Sequence, residues 1–81
     1  MEEIPVAEVY IMSFQDFLKS AKQGQTVWFL ASGFMVRGAF LKVDPSFEFV
    51  TLSQVAIFQG PQATGSVATL TIAVNAIHAW G

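Results

Sequence analysis

The chain has 81 residues, four basic and six acidic side chains, a net charge of −2 and no cysteine. That length bounds it to one domain, the missing cysteine excludes disulfides and thiolate metal sites, and the acidic balance leaves no electrostatic footprint for duplex nucleic acid. Hydrophobic residues make up 53% against 12% charged, more apolar material than a domain this small can hide when it buries only roughly 60% of its unfolded surface, so the excess is expected to meet other protein chains.

A membrane partner is not expected. A spanning helix needs about 20 consecutive apolar residues, and every apolar run here is broken sooner by Gly, Ser, Thr, Gln or Asn. The first residues, "MEEIPVAEVYIM", begin acidic and lack the basic stretch of a secretory signal. A soluble cytoplasmic protein, with no cofactor and no metal, is the expectation.

In chain order, residues 1–12 read as a short arm. Val6, Glu8, Tyr10 and Met12 alternate there with Ala7, Val9 and Ile11, the pattern of an edge strand following Pro5. Residues 13–23, "SFQDFLKSAKQ", read as a helix. Ser13 is its N-cap, and Asp16 completes a capping-box-like pair. Phe14, Phe17, Leu18 and Ala21 form one apolar stripe, and Gly24 is the expected stop.

After Gly24 the period becomes strand-like. Strands are expected over residues 26–31, 34–43, 47–59, 66–74 and 77–80. Ser32-Gly33 joins the first two as a tight turn, and "GPQATG" over residues 60–65 reads as a loop. One helix followed by five short-connected strands predicts a mainly β fold, a strongly bent antiparallel SH3-like small barrel. Gly38 is the expected bend point of the second strand. Val36, Gly38 and Phe40 keep period two and Val43 breaks it, which places a bulge near Leu41-Lys42. A further irregularity is expected near Ser53. "DPSF" has Asp44 and Pro45 at the first two positions of a type I turn; Asp44 reads either as turn-former or as ligand contact.

Residues 49–81 contain no Asp, Glu, Lys or Arg, and His78 is their one titratable side chain. Strand edges are ordinarily blunted by charge. An uncharged fourth and fifth strand predict pairing between subunits, head to tail, closing a ring.

The stretch "VRGAFLKVDPSFEFV" resembles the first motif of the Sm and Sm-like (LSm, Hfq) proteins. Val36, Gly38, Phe40, Val43, Asp44, Phe47 and Phe49 fall in its register. "FQDFL" and "SGFMVRG" look like the Hfq branch, and "TIAVNAIHAW" resembles the second motif. The likeness spans residues 13–80, leaving 1–12 as an arm before an Sm-like domain at 13–81. It implies a helix on a five-stranded bent barrel, a homo-oligomeric ring of about five to seven subunits, and single-stranded, often U-rich, RNA bound near the pore. Carried over by position, Asp44, Ser46, Glu48 and Asn75 are implied as pore-side contacts, with Gln15 from the helix start. Ser46 stands where the family stacks an aromatic or His on a base. Glu48 replaces the base-reading Asn, Asn75 the basic residue, and Ala76 the Gly after it.

Arg37 and Lys42 are candidate phosphate contacts, or solvated positions on one strand. Phe34, Phe40, Phe47, Phe49 and Phe58 read as core rather than as base platforms, Trp28 and Trp80 as barrel or interface residues, with a stacking surface the alternative for Trp80, and His78 as a structural or edge histidine. No nucleophile set, phosphate loop or carboxylate pair suggests an enzyme. The expected function is an Sm-like ring binding single-stranded nucleic acid, RNA more than DNA; the alternative is a structural or protein-interaction ring that binds none.

Overall fold

A computed structural model describes residues 13–81; the arm over residues 1–12, with its expected edge strand, lies outside the described residues. Helix α1 spans Phe14–Ser20. Ser13 caps it as expected, its hydroxyl accepting the Asp16 N–H at 3.1 Å. Asp16 lies in the first turn and Lys19 in the last, each at the end where the helix dipole favours its charge.

The helix ends earlier than the expected residue 23. Ala21 is already extended, and Gly24, with φ +90°, belongs to the following turn rather than to the helix end. Two competing partners explain this. The Gln25 side chain accepts the Lys22 N–H at 3.0 Å, and the Gly24 N–H goes to the Phe40 carbonyl at 2.8 Å while the Phe40 N–H goes to Gln25. Local side-chain acceptors of this kind draw backbone donors out of a helix. A seven-residue helix cannot stand alone in water. It is held by Leu18, fully buried, and by Phe14, Phe17 and Ala21 packed on the core.

Strands β1 (Thr26–Ala31), β2 (Phe34–Val43), β3 (Phe49–Gln59), β4 (Gln62–Ala73) and β5 (Ile77–Trp80) follow, with a 3-10 turn at Val74–Ala76 before the last. They form one antiparallel sheet in the order β4-β3-β2-β1-β5. The β1–β2 turn is as tight as expected: Ala31 pairs with Phe34, and Ser32 and Gly33 both take positive φ, as a two-residue hairpin of the right twist requires.

The β2–β3 ladder carries two irregularities. Between Lys42 and Phe40 the register shifts, leaving Leu41 as the extra residue on β2, the bulge the broken period predicts. It lets Phe40 and Val43 both turn inward while Lys42 stays exposed. Between Ala39 and Arg37 the register shifts the other way. Here β3 carries the extra residue, near Gln54, whose φ is +52°. Gly38 lies opposite, and a Cβ there would sit 2.8 Å from the Ser53 carbonyl oxygen.

The fourth strand begins at Gln62, not residue 66. The expected loop is a two-residue Gly60-Pro61 turn, with Gln59 paired to Gln62 and Gly60 at φ +69°. The irregular chemistry of residues 62–65 is absorbed in a register shift, where Thr64 donates its hydroxyl to the Ile57 carbonyl at 3.4 Å. The third strand starts at Phe49 rather than Phe47.

Leu18, Val27, Phe29, Val36, Phe40, Val50, Leu52 and Val55 form the core, and no polar side chain is buried among the described residues. Phe14 meets Phe29 edge-on at 5.6 Å and Trp80 at 4.6 Å, so the helix closes over β1 and β5 together. Of the phenylalanines expected in the core, Phe40 is buried, Phe34, Phe47 and Phe58 are half-buried, and Phe49 is 49% exposed. Phe49 is the first residue of β3, where the chain emerges from a loop, and its side chain faces away from the buried Val50. No described helix is long and apolar enough to cross a membrane.

Candidate nucleic-acid interface

The loop between β2 and β3 is built around Asp44. Its backbone forms the expected turn, the Phe47 N–H bonding to the Asp44 carbonyl at 2.9 Å, and the Asp44 N–H reaches the Phe49 carbonyl at 3.1 Å. One carboxylate oxygen accepts the N–H groups of Glu48 and Phe49, both at 2.7 Å. The other accepts the Ser46 hydroxyl. Asp44 thus acts as turn-former with both oxygens engaged inside the loop.

These bonds favour the charged carboxylate. The Ser46 hydroxyl first, then the Phe49 N–H, hold the Asp44 carboxyl below its ordinary value of 3.8. The consequence for stability has a definite sign. The unfolded carboxyl binds a proton at higher pH than the folded one, so the contribution is present in full above about pH 4 and is lost as pH falls through the lower folded value. Denaturant titrations at pH 7 and at successive pH values below 4 are expected to show Asp44→Asn less stable than the native protein at pH 7, with the gap closing at the acid end. A gap independent of pH would show that the carboxylate charge does not hold the loop.

The turn forces Phe47 into the left-handed region, at φ +58°, a conformation that aromatic residues seldom adopt and that costs on the order of 1 kcal/mol or more. This sets the Phe47 ring under Lys19 of the helix, whose Nζ lies 5.9 Å from the ring centre. The next residue joins two loops: the Glu48 carbonyl accepts the Val74 N–H at 2.9 Å. The loop at 44–48 and the 3-10 turn Val74–Ala76 therefore form a single unit. Between them is an open concavity of about 300 Å³, lined by Phe47, Glu48, Phe49, Ala73, Val74 and Asn75.

The seven candidate residues do not all converge here. Glu48 and Asn75 line the concavity, and Asp44 and Ser46 brace its wall from within the loop. Gln15 is exposed on α1. Arg37 lines a separate hollow of about 380 Å³ with Thr26, Gly38 and Gln54 among others, its guanidinium 5.6 Å from the Phe58 ring. Lys42 is exposed on β2, paired across the ladder with Thr51. His78 is exposed on β5, an edge histidine. No cluster of three His, Cys, Asp or Glu capable of holding a metal occurs among the described residues.

The approach of Lys19 to the apolar lip of Phe47 and Phe49 was not foreseen from the sequence. The alternating run from Phe47 to Leu52 looks like one strand entering the core. Nothing in the spacing ties Lys19 to Phe47, because that contact forms only when helix and loop pack together.

The concavity can present a flat apolar surface at Phe47 and Phe49, an amide at Asn75 and a carboxylate at Glu48. Such a combination suits stacking on a planar group and reading its edge.

No family model matches the sequence. No curated protein matches it either. Among solved structures, one similar to this chain is that of the Pyrococcus abyssii Sm protein in complex with a uridine heptamer, at TM-score 0.72 and 17% identity, covering 85% of this chain and 96% of that one. At that identity the likeness speaks for the backbone, and with the helix and the strand order it establishes that the chain has the Sm fold.

Proposed function

We propose that the protein assembles into a closed homo-oligomeric ring, of about five to seven copies by its resemblance to the Sm-like proteins, and binds single-stranded nucleic acid, RNA in preference to DNA, at the joined loops. One observation carries the reading. The Val74 N–H bond to Glu48 fuses two loops into one concavity with an aromatic lip, on a fold whose similar solved structure is an Sm protein in complex with a uridine heptamer.

The ring reading is supported by the sheet itself. β4 and β5 are its two outer strands, and neither carries an Asp, Glu, Lys or Arg to keep another edge away. Joining one to the other head to tail generates a closed ring when the rotation permits. Every contact is then repeated around one axis, so weak single contacts add.

In this reading Phe47 and Phe49 offer stacking surfaces, Asn75 reads a base or sugar, and Lys19 supplies a cation close to the lip. Asp44 and Ser46 hold the loop in shape. Gln15, Arg37 and Lys42 contribute outside the concavity, the last two as phosphate contacts. Glu48 opposes phosphate, so binding is expected to be weak and salt-sensitive.

Fluorescence anisotropy with short labelled oligouridine, its DNA counterpart and a duplex, at two salt concentrations, tests this on an oligomer verified by light scattering. The single strands are expected to bind and the duplex to bind little. Arg37→Ala and Lys42→Ala are each expected to lower the salt slope by up to about 0.7, whereas Asn75→Ala weakens binding with little change in slope. A stable monomer defeats the ring.

Glu48 in the concavity, with no basic residue lining it, favours a second reading: a ring that serves as a structural or protein-interaction adaptor. An intact ring with no detectable nucleic-acid binding at low salt would select it.

A further inference from the structure

We propose that the hydroxyl pair of Thr51 and Thr71 reads the ribose 2′-hydroxyl of a bound strand and so sets the preference for RNA over DNA, an inference that rests on the nucleic-acid reading above. Stacking and phosphate contacts leave that preference unexplained, because bases and phosphates are common to both polymers. The discriminating group is the 2′-hydroxyl, which both donates and accepts.

The pair lies beside the concavity. Phe49 and Ala73, which line it, are opposite each other on β3 and β4, and Thr51 and Thr71 are the next pair on the same face, about 7 Å further along the strands. That face is the outward one. Val50 and Leu52 of β3 are fully buried, and Leu70 and Ile72 of β4 pack on the core, so the residues between them point away from it. Thr71 is exposed and Thr51 half-buried. Subunit pairing through β4 uses main-chain groups at its edge and leaves this face open.

The Thr51 and Thr71 hydroxyl oxygens lie 2.9 Å apart. One donates to the other, which occupies one of the two hydroxyl hydrogens. The second hydrogen and the remaining lone pairs are left for a ligand. A group that donates and accepts at once fits that pair, and a deoxyribose methylene offers it neither function. The two hydroxyls also hold each other in place, so little side-chain freedom is lost on binding.

The neighbours of the pair follow the order of a ribonucleotide. On one side Phe49, 49% exposed, presents a flat apolar surface. On the other, Lys42 is exposed on β2 and pairs with Thr51 across the ladder, about 5 Å away. A base on the Phe49 ring, its ribose over the hydroxyl pair and its phosphate at Lys42 then occupy three adjoining positions on a single sheet face.

Anisotropy on the verified oligomer, with three labelled strands of equal length and the same base, tests this: oligouridine, oligodeoxyuridine and 2′-O-methyl oligouridine. The native protein is expected to bind oligouridine at least about fivefold more tightly than either of the others, the size of one hydrogen bond. Combining Thr51→Val with Thr71→Val keeps side-chain shape and strand preference. It is expected to bring oligouridine down to the affinity of oligodeoxyuridine, with oligodeoxyuridine binding, melting temperature and oligomer mass close to native. Lys42→Ala is expected to weaken both alike, since both carry phosphate. If the double variant keeps the native ratio, or weakens both strands equally, the hydroxyl pair does not read the sugar. Native protein that binds the 2′-O-methyl strand as tightly as oligouridine overturns the proposal independently of any variant. Equal binding of ribose and deoxyribose strands by the native protein overturns it too and leaves single-strand binding standing. No binding of either strand overturns both.

Discussion

Gly38→Val is expected to destabilise the fold by about 3 kcal/mol, toward the upper end of the cost of overpacking a closed interior. A Cβ at this position would lie 2.8 Å from the Ser53 carbonyl oxygen, 3.1 Å from Val55 Cγ2 and 3.3 Å from Val55 Cα. Two of these atoms are backbone and cannot swing aside. β3 is pinned on both sides of this approach, Ala39 to Ser53 and Arg37 to Ala56, with Gln54 in its positive-φ conformation between them. The added branch either opens the β2–β3 ladder or straightens the bend. For a chain of this size the melting temperature is expected to fall by about 12–24 °C. Gly38→Ala moves the same way by less. Gly65→Ala, where nothing lies within 4 Å of the new Cβ, is the control and is expected to be neutral or slightly stabilising. Thermal melts followed by circular dichroism decide the matter, and an unchanged midpoint for Gly38→Val would mean that β2 and β3 do not approach this closely.

The largest functional change is expected from Glu48→Lys. The backbone of Glu48 holds the site together, donating to Asp44 and accepting from Val74. Its exposed side chain faces the concavity beside Asn75, so the charge can be altered with the fold intact. Each substitution changes the local charge by two units, and a ring repeats that change once per subunit. Affinity for oligouridine at low salt is expected to rise tenfold or more, with a salt dependence steeper by about 0.7 in slope for each additional phosphate that the lysines neutralise. Melting temperature and oligomer mass are expected to stay at native values. Anisotropy at two salt concentrations measures it. If affinity does not change while the ring persists, nucleic acid does not pass over the joined loops.

The candidate site was only half legible in the sequence. Asp44, Ser46 and Glu48 sit in one short turn, so their neighbourhood follows from chain continuity. Asn75 lies at the far end of the β3–β4 hairpin, and only the resemblance to Sm-like motifs linked it to them; the Val74 to Glu48 hydrogen bond is the physical link. Gln15, Arg37 and Lys42 were grouped with these residues by chemistry, and the fold distributes them elsewhere. Phe49 shows the opposite failure. Its aromatic character suggests the core, yet half of its surface is exposed because it starts the strand on the face opposite Val50 and Leu52.

Features that depend on neighbours within a few positions were already written in the residues. Ser13 caps because its hydroxyl reaches the N–H of Asp16. The tight turn at Ser32-Gly33, the Asp44 turn and the Leu41 bulge follow from residue type and from a period of two that slips once. Where the elements stop, and what meets across them, was settled only in three dimensions. The helix ends at Ser20 because Gly24 and Gln25 bond to Phe40, and β4 reaches back to Gln62 because its backbone finds the last residues of β3. Lys19 lies over Phe47 because packing brings helix and loop together. Periodicity reports which face of a segment turns inward, whereas the ends of segments are set by where each backbone donor and acceptor finds a partner, and those partners lie far along the chain.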